Sequence, residues 1–409
     1  MTDPCATTPL TVAEALEHLR TALTPITGHR RVAIRESLGQ VLAGEIMADT
    51  PVPAHDNSAM DGYAVRNDDA GTDSLRCVGT AFAGQPFTGG VAPGECVRIM
   101  TGGVIPAGAT AVVMQERTEA RSDNITLRQW PEAGENIRRA GDDLQAGDII
   151  LPTGRRITPA DLGVMASLGR AEVDVIRPLR VAFFSTGDEL RGVGEALGAG
   201  DIYDSNRYSL YGMLTRLQVE LLDLGVVPDD RMAVRDALAH AAAQADVVVT
   251  SGGVSVGEAD YVGQILREQG EAHFWSLAMK PGRPLTFGRY AGAWFFGLPG
   301  NPVSVMATFT QVVAPALRQL AGETARPRPR FRLPCRSNLS KKPGRQDFQR
   351  GRLVVGEDGS LEVESVGRQG SGMLRSMSMA DCFIVLPADS GDVTAGEWVT
   401  VEPFAGPLI

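Results

Sequence analysis

Leu179-Arg180-Val181-Ala182-Phe183-Phe184-Ser185-Thr186-Gly187-Asp188-Glu189 opens the stretch that decides the fold. Asp246-Val247-Val248-Val249-Thr250 repeats its logic, breaking into Ser251-Gly252-Gly253-Val254-Ser255-Val256-Gly257-Glu258-Ala259-Asp260. In each, a short apolar run ends in small or acidic residues and a helically spaced segment follows. Between them lie a helix over Tyr208 to Leu222, a strand over Leu221 to Val227 that stops at Pro228-Asp229-Asp230, and an alanine-rich helix over Ala233 to Ala243. Beyond Asp260 come a helix over Tyr261 to Glu268, the loop Lys280-Pro281-Gly282-Arg283-Pro284, a strand over Ala293 to Phe296, and a last helix opening at Asn301-Pro302. Strands separated by helices of this length predict a doubly wound α/β domain, its mainly parallel sheet covered on both faces.

Ligands of such sheets bind beyond the carboxyl ends of the strands, where loops diverge and helix N-termini offer free N–H groups. Five ends here carry Glu189, Asp229 with Asp230, the glycine-rich loop with Asp260, Lys280 with Arg283, and Pro299-Gly300-Asn301-Pro302. Glycine lets backbone amides approach a phosphate, and Asn301 before Pro302 suits an N-cap with a first-turn proline. Alone, Gly252-Gly253 reads as a tight turn; with Asp260 and a second cradle at Asn301 it reads as a phosphate site. For Asp229 and for Asp230 taken singly, the start of a helix is as good a reading as a place in the crevice. Carboxylates beside a phosphate call for Mg²⁺, which takes one or two of them together with phosphate oxygens. No Gly-Lys-Ser or Gly-Lys-Thr follows the glycines, and no Gly-x-Gly-x-x-Gly opens the first helix, so P-loop and dinucleotide chemistry are disfavoured.

The chain has 409 residues, enough for two to four domains, and a net charge of -10 that argues against nucleic acid. Cys5, Cys77, Cys96, Cys335 and Cys382 are scattered, which fits reduced thiols. With no leader-like N-terminus and no apolar run of bilayer length, the expectation is a cytoplasmic protein without membrane partners. The five histidines lack metal-ligand spacing, and His55 reads as structural.

Thr11 to Leu23 reads as an amphipathic helix with Thr11 and Glu14 as capping box, and Thr158 to Gly169 as another helix. Asp56 to Val65 reads as a polar loop entering a strand at Tyr63. From Ala64 to Ile150 the runs are short and β-like, and Asn136 to Asp143 packs two arginines against two aspartates. Past Gly322, Arg326 to Arg330 alternates arginine with proline as a stiff linker, and the tail from Phe331 is again β-like.

Taken together, Asp56 to Val65, Arg98 to Gly103, Ile137 to Asp143, Phe184 to Leu190, Gly200 to Asn206, Ser251 to Tyr261, Lys280 to Pro284, Gly297 to Ser304 and Gly344 to Gly351 resemble the MoeA family of molybdopterin molybdenumtransferases, which includes the gephyrin E domain. The resemblance covers essentially the whole chain. It implies an enzyme that takes adenylylated molybdopterin and molybdate, uses Mg²⁺, releases AMP, and exchanges substrate and product with the molybdopterin adenylyltransferase and downstream cofactor-maturation proteins. It also implies an elongated homodimer of four-domain chains: a discontinuous N-terminal domain (1–53 and 141–177), an inserted β-rich domain (54–140), the α/β domain (178–326) and a C-terminal β-barrel (327–409). The active site would lie between the α/β domain of one subunit and the β module of the other. Carried over by motif, Asp61, Thr101, Arg138 and Asp143 come from the N-terminal half, and Glu189, Asp229 and Asp260 from the α/β crevice.

The residues supply roles that agree. Cleaving a pyrophosphate needs charge neutralisation more than a covalent nucleophile, so some of Glu189, Asp229 and Asp260 would hold Mg²⁺, with Lys280 nearby. Molybdate is a tetrahedral dianion suited to cations and hydroxyls: Lys280, Arg283, Ser304, Arg345, Arg350 and Ser371. Ser251, Gly252, Gly253, Ser255 and Gly257, with Pro299 to Pro302, would hold either the pterin phosphate or the adenylyl phosphates. Ser276 stands where some relatives carry a second lysine, and Ala140 replaces a more usual basic residue. Two other classes fit the scaffold, a non-catalytic anchoring protein and the upstream adenylylation of molybdopterin by ATP. The carboxylates and Lys280 argue against the first; Ser251 to Ser255 departs from the Thr-Gly-Gly-Thr-Gly type loop of the second.

Overall fold

In the strand Arg180–Thr186 every residue after Arg180 is buried, and successive side chains enter opposite cores, as the period of two requires. A computed structural model describes residues 8–252 and 260–404. Val181 and Phe183 join Val247, Val249, Phe296 and Leu298 on one face, under the helices Val12–Ala22, Ser205–Thr215 and Pro302–Thr308. Ala182, Phe184, Val248 and Phe295 face the other way, under Arg231–Gln244 and Tyr261–Gln269. The sheet is doubly wound, as its sequence predicts.

Its six strands run in the order Glu220–Val227, Arg180–Thr186, Val247–Ser251, Ala293–Leu298, Pro284–Tyr290, Gly270–Ser276. The first four are parallel, Pro284–Tyr290 runs antiparallel to them, and Gly270–Ser276 runs antiparallel to Pro284–Tyr290. Those last two are not among the strands that the sequence predicts. Gly270–Ser276 is an edge strand whose side chains are exposed or half-buried, so no continuous apolar run announces it. The helix expected over Tyr208 to Leu222 is also shorter. It ends at Thr215, and Gln218, at φ 56°, turns the chain so that the apolar residues beyond it enter the strand Glu220–Val227.

Before this sheet, His29–Ala33 pairs with Glu172–Ile176 and Ile46–Met47 with Ile149–Leu151, so segments on either side of residues 54–140 close on one another. The intervening module is a six-stranded sheet in the order Ala111–Met114, Gly62–Val65, Glu95–Ile99, Leu75–Ala81, Asn124–Leu127, Thr118–Arg121. The C-terminal sheet takes in Met279–Lys280, Gln346–Val355, Cys382–Leu386, Trp398–Pro403 and Phe331–Pro334 in that order, with Leu361–Ser365 beside Gln346–Val355. It curls until an isolated bridge between Cys335 and Val363 joins its far edges. No helix among the described residues is long and apolar enough to cross a membrane.

Candidate active site

The parallel strands end level with one another. Thr186 pairs with Val227, Ser185 with Ser251, and Ser251 with Leu298. Asn206, in the helix Ser205–Thr215, stitches two of these ends together, its amide donating to Ser251 Oγ (2.8 Å) and to the Gly300 carbonyl (2.7 Å). At Gly252, φ is 86° and an added Cβ would lie 2.6 Å from the Thr186 carbonyl, so only glycine fits between these ends. Ser185 Oγ, Thr186 Oγ1, Thr250 Oγ1, Asn206 Oδ1 and Asp204 Oδ2 are buried along this edge without a partner among the described residues. Such atoms are costly unless something polar reaches them, and they mark the edge as a place for a polar ligand. Gly253, Ser255 and Gly257 lie outside the described residues.

One end of the edge is acidic. Asp229 is half-buried, and its N–H donates to Asp188 Oδ1 (3.1 Å). Burial, then the neighbouring Asp188 and Glu189, push its carboxyl above the usual range. Of the two readings open to each of Asp229 and Asp230, helix start or crevice, Asp230 takes the first, because it accepts from the Met232 and Ala233 amides and caps Arg231–Gln244. Asp229 is thereby left for the crevice. Asp260 behaves differently: it caps Tyr261–Gln269 by accepting from Gly263 N (2.7 Å), and burial raises its carboxyl to about 6. Asp188, which is not among the residues the sequence singles out, stands beside Asp229. Among the described residues, no three histidine, cysteine or acidic side chains form a metal-holding group.

The other end is cationic. Met279–Lys280 pairs in parallel with the C-terminal strand Gln346–Val355, which places Lys280 opposite Asp347 with 3.1 Å between Nζ and Oδ2. Gly282, at φ 96°, lies so close to the helix Pro302–Thr308 that a Cβ would meet Thr308 Oγ1 at 2.3 Å. Arg350 is buried, its guanidinium donating to Ser376 Oγ (3.1 Å) and the Gly370 carbonyl (3.2 Å), and burial lowers its pKa to about 10. The Ser371 carbonyl accepts from Val303 N (3.0 Å), which brings Ser371 and the buried Ser304 to the same helix start. Asn301 occupies the N-cap position but makes no side-chain cap bond, and Val303 N is taken by Ser371. Asn301 thus stands at the N-cap before a first-turn proline, as the sequence predicts, while one amide of the expected anion cradle, Val303 N, is already taken by the protein itself. Arg283 donates to Ser276 Oγ (3.0 Å), while Arg345 is exposed.

A separate group forms in the N-terminal half. Asp61 accepts from both the amide and the hydroxyl of Thr101, each at 2.7 Å, and these bonds hold its carboxyl below the usual range. Ile137–Arg138 pairs with Asn57–Ser58, which brings the exposed Arg138 beside the same loop. Asp56 accepts from Arg139 (2.6 Å) and from the Ala140 amide (2.8 Å), so the latter contact needs no particular side chain at position 140. Asp143 is exposed and is tied through its amide to Val52. The hydrogen bonds around Asp56 to Asp61 run to Gly103, Asn136, Gln115 and Ile105, all within the module.

Three family models cover this chain in sequence: MoeA N-terminal region (domain I and II) over residues 10–169, probable molybdopterin binding domain over 182–319, and MoeA C-terminal region (domain IV) over 332–404. A molybdopterin molybdenumtransferase of Haemophilus influenzae is 44% identical over 97% of this chain and 98% of its own. Another, from Nostoc, is 36% identical over 89% and 86% respectively. The crystal structure of a molybdopterin biosynthesis moeA protein from Pyrococcus horikoshii superimposes with a TM-score of 0.84 at 28% identity, over 97% of this chain and all of that one.

Proposed function

The chain belongs to the MoeA family of molybdopterin molybdenumtransferases, and from that premise we propose that it inserts molybdenum from molybdate into adenylylated molybdopterin, releasing AMP, with Mg²⁺ as its metal. It is a transferase of molybdenum cofactor biosynthesis. The observation that carries the finer reading is the polarity of one sheet edge. Asp188, Glu189 and Asp229 crowd its one end, Lys280 and Arg350 flank the other, and unpartnered hydroxyls lie between. Such an edge suits an elongated substrate with a phosphoanhydride toward the acidic end and an oxyanion toward the cationic one.

Mg²⁺ fits the acidic end, since burial and the neighbouring Asp188 and Glu189 push the Asp229 carboxyl up, a cation relieves that repulsion, and the ion needs only one or two carboxylates beside phosphate oxygens. Glu189 and Asp229 would hold it, and it would neutralise charge on the phosphoanhydride oxygens. Asp260 would orient the helix Tyr261–Gln269 and the loop before it. Lys280, Ser304, Arg350 and Ser371 would receive molybdate, with Arg283 and Arg345 drawing anions inward. Asp61, Thr101, Arg138 and Asp143 would complete the site from the second copy of a homodimer, against the phosphate cradle formed by Ser251, Gly252 and Pro299 to Pro302.

The test is molybdate-dependent AMP release from adenylylated molybdopterin in the presence and absence of Mg²⁺. ATP consumption with bare molybdopterin, and no AMP release, would overturn this reading.

A further inference from the structure

Lys280 has a resident partner. Its ammonium lies 3.1 Å from Asp347, yet the two side chains are differently placed: Lys280 is 47% exposed and Asp347 5%. The carboxylate is pinned from a second side by the Gln349 amide (3.3 Å to Oδ2), which also donates to the Ser340 carbonyl (2.9 Å). Strand pairing fixes the Asp347 backbone as well. Lysine carries its charge on a flexible four-carbon stem, so of the two groups it is the cation that can move. A buried carboxylate abandoned by its partner is ordinarily expensive. Here the buried Arg350, whose charge Asp347 favours, remains on the same strand when Lys280 leaves.

We propose that Asp347 is a built-in competitor of the substrate oxyanion: it holds Lys280 when the site is empty, yields it to an arriving dianion, and recaptures it when the anion departs. The inference rests on reading Lys280 as an anion ligand and adds a specificity-determining residue to that site. Only an anion that attracts Lys280 more strongly than a fixed carboxylate does so, which favours a dianion over monoanions and keeps the bound oxyanion exchangeable. Asp347 thus weakens binding, the opposite of what a residue kept for support would do.

The measurement is calorimetric titration of the full chain with molybdate alone at low ionic strength. Asp347→Asn keeps size and the acceptor for Gln349 while removing the charge, and it is expected to bind molybdate about fivefold tighter. Asp347→Ser, smaller and neutral, is expected to act in the same direction and guards against a folding defect peculiar to asparagine. Lys280→Ala is expected to bind roughly tenfold weaker, and adding Asp347→Asn to it is expected to change nothing further. Unchanged or weaker binding by both Asp347 variants, with Lys280→Ala still weakened, overturns the competitor role and leaves Lys280 as a ligand. Unchanged binding by Lys280→Ala overturns both.

Discussion

At Asp260 two local forces oppose each other. Burial raises the carboxyl, the Gly263 amide lowers it, and burial prevails, leaving it at about 6. Between pH 3.8 and about 6 the folded chain retains a proton that the unfolded chain has released. The stability associated with that proton is complete below the lower value and is lost as pH rises through the upper. Asp260→Asn removes this dependence, so denaturant midpoints across that window should be flatter in the variant; an identical slope would discard the assignment. Asp61 is the contrasting case, an exposed carboxylate held low first by the Thr101 amide and then by its hydroxyl. Thr101→Val deletes the hydroxyl and keeps the amide. The Asp61 carboxyl should move up toward its ordinary value in an NMR titration, and turnover should fall roughly tenfold through the lost orientation.

Among elements, the contact between the Lys280 loop and the helix Pro302–Thr308 is set by one missing side chain. Gly282→Ala would place a Cβ 2.3 Å from Thr308 Oγ1 at a φ of 96°. A loss of about 1–3 kcal/mol is expected in urea unfolding. Thr308 Oγ1 is itself buried without a partner among the described residues, so Thr308→Ala should cost little and should recover part of the Gly282→Ala loss, the backbone strain remaining. The helix runs on through a π turn, Phe309–Val313, which carries Gln311 to Glu402 (2.6 Å). Glu402 also accepts from Arg328 (2.7 Å) and Arg330 (2.8 Å). The arginine-proline segment, legible in sequence only as a stiff linker, is therefore strapped to the C-terminal sheet. Burial alone would raise the Glu402 carboxyl, but Gln311 and the two arginines hold it low. Glu402→Gln should destabilise the chain by about 3 kcal/mol, measured by calorimetry or denaturant unfolding, because the arginines then face a neutral group.

For the whole molecule, the division of polar groups decides the key experiment. Asp61 and Thr101 sit in the module of residues 54–140, and Glu189, Asp229 and Lys280 in the large α/β sheet and its C-terminal neighbour. If each site takes one half from each subunit, two inactive variants rescue one another. Asp61→Asn mixed with Glu189→Gln and reassociated should reach about a quarter of the wild-type rate of AMP release, since half the dimers are mixed and each of those carries one intact site. A mixture no better than either variant alone would place both halves within one chain.

What the sequence determined by itself is what near neighbours encode. The unbroken apolar runs Val181 to Phe184 and Val247 to Val249 specify strands buried on two faces, and Thr11 with Glu14 specifies a helix start whose capping box the structure contains. The motif from Asp56 to Val65 likewise specifies a polar loop entering a strand, which the structure forms at Gly62–Val65. Tertiary structure alone decided that Lys280 lies opposite Asp347, that Asp188 crowds Asp229, and that the edge strand Gly270–Ser276 exists at all. The physical reason is range. Periodicity and capping act across a few residues, whereas Lys280 and Asp347 are 67 positions apart and meet only because the short strand Met279–Lys280, lying in sequence between two strands of the α/β sheet, pairs into the C-terminal sheet.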